Sequence, residues 1–159
     1  MSTCCKCSNP LAFDNSTIKE LDLNRYLGKW YEIARFDHRF EHGLTDITAE
    51  YVLKDNGIIQ VLNRGYNQKK KKNSLAEGKA KTTKEPGVLR VSFFWNFYSD
   101  YRIMALGSNY DWALIGAGKG TDYLWILSRT ETLPEETYNQ ILAEAKRRGF
   151  DISKLIKIR

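Results

Sequence analysis

His38 and His42 are the two histidines of the 159-residue chain, four apart, with Asp37 and Glu41 beside them. On a helix that spacing would gather imidazoles and carboxylates on one face, a donor set for a divalent metal. The stretch instead reads as a loop, where positions four apart need not converge, so no metal is expected. Catalysis finds little more. No G-x-S-x-G is present, and no nucleophile is paired with a base in the sequence. Haem ligation lacks a His on an inward strand face. The chain is expected to be no enzyme and to carry no cofactor.

Cys4, Cys5 and Cys7 fall within the first seven residues, and residues 8–159 contain no other cysteine. The body of the chain therefore has no disulfide and no thiolate site, and the cluster lacks a fourth tetrahedral ligand. Cys4 is the candidate for lipidation, because bacterial lipoproteins begin at a cysteine after their signal peptide. Met1 stands only three residues ahead of Cys4, leaving no room for an apolar signal stretch of about 7–15 residues. The alternatives are a trimmed start and a protein that stays in the cytoplasm.

Gly116-Ala117-Gly118-Lys119-Gly120 looks like a phosphate loop, but a strand follows and no helix N-terminus is available, so it reads as a hairpin turn. Lys69, Lys70, Lys71 and Lys72 form a basic run with no RNA-recognition or zinc-finger signature nearby, so nucleic acid is not an expected partner.

The elements around these residues are short. Hydrophobic residues make up 42% and charged residues 28%, the balance of a folded domain, and the net charge is +6. Residues 1–20 read as a flexible tail and 21–159 as one domain. Eight apolar-rich runs read as strands: 28–36, 45–53, 58–66, 75–82, 88–94, 101–106, 112–117 and 123–129. Turn residues such as Asp55-Asn56-Gly57 and Gly107-Ser108-Asn109 separate them. Tyr138, Ile141, Leu142 and Ala145 give one apolar helix face. Thr132 and Glu135 suit a capping box, and Gly149 a stop. Residues 155–158 read as a last short strand. Strands followed by one helix exclude a doubly wound fold; the expectation is all-β, an antiparallel barrel or sandwich.

Gly28-Lys29-Trp30, opening Trp30-Tyr31-Glu32-Ile33-Ala34-Arg35, resembles the first strand of the lipocalin family. Tyr123-Leu124-Trp125-Ile126-Leu127-Ser128-Arg129 supplies the single Arg that the family carries after its last strand. The family's T-D-Y is reduced here to Ser108-Asn109-Tyr110. The wording is similar to the bacterial outer-membrane lipocalins, with plant temperature-induced lipocalins and apolipoprotein D as relatives. The resemblance implies an eight-stranded up-and-down antiparallel barrel with the C-terminal helix packed outside and Arg129 stacked on Trp30. It also implies a lipophilic guest (a fatty acid or lysophospholipid), an envelope location and a possible homodimer. The competing readings are an enzyme built on the same barrel and a basic nucleic-acid-binding barrel.

With that pattern in mind, alternation proposes an inward, ligand-binding set. It comprises Trp30, Glu32, Ala34 and Phe36 on the first strand and Ile47, Ala49, Tyr51 and Leu53 on the second. Val61, Asn63, Ala76, Gly78, Ala80, Leu89, Val91 and Phe93 continue it, followed by Tyr101, Ile103, Ala105, Leu114, Gly116, Trp125 and Leu127. Small residues such as Ala34, Ala49, Gly78 and Gly116 would leave room for the guest. Glu32 would be either a satisfied buried carboxylate or an anchor for a head group. Lys69–Lys72 with Trp95, Phe97 and Tyr98 would line the mouth and touch head groups or membrane.

Overall fold

A computed structural model describes residues 13–94 and 97–159. The strands are β1 (Gly28–Phe36), β2 (Leu44–Leu53), β3 (Ile59–Asn67), β4 (Lys72–Thr82), β5 (Val88–Phe94), β6 (Phe97–Leu106), β7 (Trp112–Ala117) and β8 (Leu124–Ser128). Each pairs antiparallel with the next, and β8 pairs back to β1, so the eight close into a barrel. A one-turn helix, α1 (Leu23–Tyr26), precedes β1. Helix α2 (Glu135–Arg147) and the short β9 (Leu155–Lys157) follow β8. β9 pairs with Ala34–Phe36, on the edge of β1 that β2 serves only at Gly28–Tyr31.

The barrel has two cores. One fills its inside with Tyr26, Trp30, Tyr51, Ile59, Val61, Ile103, Ile115 and Leu127. The other joins its outer wall to α2 through Ile33, Ala34, Phe36, Met104, Leu114, Ile126, Ile141 and Phe150. Two bulges prepare that outer wall. Ile33 and Ala34 of β1 together face Ile126, and Met104 and Ala105 of β6 together face Leu114. Each bulge places two successive side chains on the helix side, which ordinary alternation forbids.

These bulges correct part of the inward set. Ala34 and Phe36 lie outside, under α2, with the Phe36 ring 6.1 Å from Phe150. Arg35 takes the inward position instead. Ala105 also faces outward. Leu114 packs outward and Gly116 faces Met104 and Phe150, because β7 presents Ala113 and Ile115 to the interior. Leu53 is 44% exposed.

Helix α2 starts without the capping box: Pro134 is its N-cap and no side chain accepts there. Its stop is as read. Gly149 adopts φ +98°, a left-handed conformation open to glycine, while its N–H donates to Lys146 O and that of Phe150 donates to Ala145 O. Residues 13–20 are irregular but are not a free tail. Ile18 N–H donates to Ile103 O, the buried Arg148 donates to Ser16 O at 2.7 Å, and Phe13 meets Phe150 edge-on.

Candidate ligand-binding site

The site begins from its floor. Gly28 at φ +94° lets the chain turn from α1 into β1, bringing Trp30 under Tyr26. The indole is fully buried and its Nε1 donates to Tyr26 O at 2.8 Å. The Arg129 guanidinium lies 3.7 Å from the Trp30 ring and donates to the carbonyls of Lys29, Arg25, Tyr26 and Tyr110. One planar cation thus covers the indole and satisfies four chain-end acceptors. Above it the hydroxyls of Tyr26, Tyr51 and Tyr101 bond to one another. Burial pushes the Tyr51 phenol up to about 12 and the other two well above their ordinary value, so all three stay neutral. The closed end is solid.

The upper half is not. Ala49, Asn63 and Ala76 face one another across β2, β3 and β4 in register with Trp30, yet Ala49 and Asn63 are only half-buried and Ala76 is exposed. Trp125 and Phe93, also inward, are half-buried. These inward side chains still meet solvent, so the upper wall is open where the floor is closed. Val61, Ile103 and Leu127 lie beneath it as floor, with at most 4% exposure, and Val91 and Tyr101 pack against that floor. Gly78 does not widen the space. A Cβ there would lie 2.7 Å from both Ser92 O and the Phe93 ring, so the glycine is needed for the approach of β5.

A polar cluster occupies the wall between β1 and β8. Arg35, 1% exposed, donates to Glu32 Oε1 at 3.1 Å and to Glu41 O at 2.8 Å. His38 Nε2 and Trp125 Nε1 both lie 3.2 Å from Glu41 Oε1. The loop of residues 37–43 is thereby folded down onto the barrel. Burial, then the neighbouring Glu41 carboxylate, pushes the Glu32 carboxyl well above the usual range despite Arg35. Burial would also raise Glu41, but hydrogen bonds from His38 and from the Glu32 carboxyl leave it below its ordinary value. The two carboxyls are pushed apart, Glu32 upward and Glu41 downward, so Glu32 is the one that keeps a proton to higher pH.

The raised Glu32 carboxyl has a consequence for stability. Unfolded, it ionises near its ordinary 4.5; folded, it keeps its proton to higher pH. Folding then binds a proton, and stability falls as pH rises from about 4.5 toward the raised value, by at most about 1.4 kcal/mol per pH unit. Glu32→Gln, which needs no proton, is expected to gain on the wild type across that window and not below it. Urea melts of both proteins from pH 4 to 8 check this; a constant difference would contradict it.

His38 and His42 do not converge on a metal. His42 Nδ1 turns to Asp37 Oδ2 at 2.6 Å while His38 turns to Glu41. Among the described residues no group of three or more His, Cys, Asp or Glu is placed to hold one.

A lipocalin-like domain model matches residues 21–159. The chain belongs to the lipocalin family. It is 49% identical over 153 residues to the outer membrane lipoprotein Blc of Escherichia coli, covering 94% of this chain and 86% of that one. Temperature-induced lipocalin-1 of Arabidopsis thaliana is 39% identical over 152 residues, covering 88% and 80%. Among solved structures, insecticyanin of the tobacco hornworm Manduca sexta shares the fold at TM-score 0.75 and 20% identity, covering 92% and 84%. Lipocalins are in general binding and transport proteins for small hydrophobic ligands rather than enzymes.

At the mouth of this lipocalin, Lys69–Lys71 are exposed on the turn between β3 and β4, with Lys71 at φ +51°, and the exposed Lys72 opens β4. Tyr98, the second residue of β6, points away from the barrel interior. It lies on the outer wall, its ring 4.7 Å from Lys81 Nζ, because the position faces away from inward Tyr101. Trp95 and Cys4 lie outside the described residues, as does the Phe97 side chain. The motif remnant Tyr110 is at the floor, where its hydroxyl accepts from Asp22 N–H at 2.9 Å and its ring meets Arg25. The sequence reading missed Arg35 and the link from Glu41 to Trp125. No signal would have found them, since Arg35 holds an outward phase until the bulge is known.

Proposed function

We propose that this lipocalin binds, stores or carries one fatty acid or lysophospholipid, with the acyl chain in the upper half of the barrel, and serves membrane maintenance in the bacterial envelope. The observation that carries the reading is the half-exposed inward wall of Ala49, Asn63, Ala76 and Trp125 above a filled floor. Burying about ten methylenes there yields roughly 8 kcal/mol before binding costs, consistent with affinities of about micromolar once those costs are met. The envelope location follows the 45–49% identical relatives, which are named outer membrane lipoproteins; Cys4 would carry the lipid anchor. Mass spectrometry of lipid extracted from the purified folded protein tests the reading. About one acyl lipid per chain is expected, and a lipid-free protein that also takes up none on incubation would overturn it.

Ala76 gives a sharper handle than Gly78, because its position is exposed and tolerates a larger side chain. Ala76→Phe is expected to weaken acyl-chain binding by about tenfold or more, the cost of excluding two or so methylenes, at unchanged melting temperature. A folded variant with wild-type fatty-acid affinity would remove β4 from the pocket.

We also propose that the open end touches anionic membrane through Lys69–Lys72, each exposed lysine near such a surface contributing about 1 kcal/mol. Replacing all four with Gln is expected to lower co-sedimentation with anionic liposomes at low salt, and raising salt should abolish the difference. Equal, salt-independent binding of both proteins would contradict this.

A further inference from the structure

The polar cluster is more elaborate than a structural carboxylate requires. Among the described residues, three carboxyls meet one buried guanidinium, Arg35: the more buried Glu32 and Glu41, and the exposed Asp37. Glu41 Oε2 is buried and receives no N–H from the protein. Two further polar atoms of the cluster are buried without a partner, Arg35 Nε and His38 Nδ1. Native interiors rarely leave such atoms unpaired. Several in one place give the cluster hydrogen-bonding capacity that the polar end of a ligand can use.

The rings beside the cluster point to the character of that polar end. Tyr123 and Trp125 stack with centroids 5.8 Å apart, and His38 stands edge-on to both at 5.6 and 5.5 Å. Aromatic faces with carboxylates behind them favour cations and disfavour a second anion. A fatty-acid carboxylate would meet Glu41 there and bind less tightly than an ammonium head group on the same chain. We propose that the Glu32–Glu41 pair, with the Tyr123 and Trp125 rings beside it, receives the primary ammonium group of an amphiphile whose acyl chain fills the barrel.

This rests on the lipid-binding reading above and specifies the polar end of the guest. An ammonium donates up to three hydrogen bonds, so it can serve Glu41 Oε2 and Glu32 together. An acceptor oxygen elsewhere on the head group can take Arg35 Nε. Glu32 then gives up its proton. The charged and titratable groups facing the pair are Arg35, Asp37 and His38 from β1 and the loop after it, and Tyr51 from β2.

The test is calorimetric titration with 1-palmitoyl lysophosphatidylethanolamine against 1-palmitoyl lysophosphatidylglycerol, and with hexadecylamine against palmitate, below micellar concentrations. The ammonium-bearing member of each pair is expected to bind about tenfold more tightly, the worth of one charge-assisted contact. Above about pH 4.5, as long as Glu32 still holds its proton, this binding should release a proton, seen as a dependence of heat on buffer ionisation enthalpy. Glu41→Gln and, separately, Glu32→Gln should bring each pair to within about threefold while leaving chain-length dependence intact. Using both variants keeps the test open should one fail to fold. Equal affinities within both pairs in the wild type, with chain-length dependence present, would overturn the ammonium assignment and leave the lipid reading standing. Binding of none of the four probes would overturn both.

Discussion

Trp30→Ala is expected to destabilise the protein by about 3–5 kcal/mol, the range for truncating a large buried aromatic side chain. Three losses combine. The indole is fully buried, its Nε1 bond to Tyr26 O disappears, and the Arg129 guanidinium loses the ring it covers at 3.7 Å. Arg129 would keep its bonds to the carbonyls of α1 and β1, so the floor should loosen rather than detach. Urea melts of Trp30→Ala, Arg129→Met and the double variant separate packing from stacking. The double is expected to cost less than the sum by about 1–2 kcal/mol, the size of a partly desolvated cation–π contact. Strict additivity would show that the stacked pair contributes nothing beyond its separate members.

Arg35→Met is expected to cost about as much, roughly 3–5 kcal/mol at neutral pH, because removing one partner leaves buried carboxylate uncompensated. The guanidinium also ties Glu41 O and Asp37 to β1, so the loop of residues 37–43 loses its hold on the barrel. Charge and packing make different predictions here. Protonated carboxyls need no cation, so the deficit should shrink as pH falls below about 4.5, where Glu41 neutralises. Adding Glu32→Gln and Glu41→Gln to Arg35→Met should likewise recover most of the loss. A deficit that neither low pH nor the added amides reduces would assign Arg35 a packing role instead.

The barrel was readable because its strands are short, separated by residues suited to tight turns, and followed by one amphipathic helix. The ranges 28–36, 88–94 and 112–117 coincide with β1, β5 and β7. Side-chain direction was legible only where one face is wet. On β3 and β4 the outer face carries Arg64, Glu77, Lys79 and Lys81, so Val61 and Ala80 had to point inward. On β1, β7 and β8 both faces are covered, by the interior and by α2, and hydrophobic alternation disappears. On β1 a single bulge reverses every following residue without leaving a mark in the sequence, which is why Ala34 and Phe36 were placed on the wrong face; on β7, which carries no bulge, two apolar faces left the phase of Leu114 open. Gly78 misled differently, since a missing side chain signals space and close approach equally well. The polar cluster depends on the loop of residues 37–43 folding back over Arg35, a tertiary contact with no local signal.

We propose that one acyl chain occupies the barrel above the Trp30–Tyr26 floor. Titration of intrinsic tryptophan fluorescence with saturated fatty acids of increasing length tests it most directly, since Trp125 stands half-buried on the inner wall. Affinity is expected to rise with each methylene by up to about fourfold, the factor corresponding to about 0.8 kcal/mol of burial. The rise should stop once the chain outgrows the space above the floor. Affinity independent of chain length, or no saturable change at any length, would contradict the account.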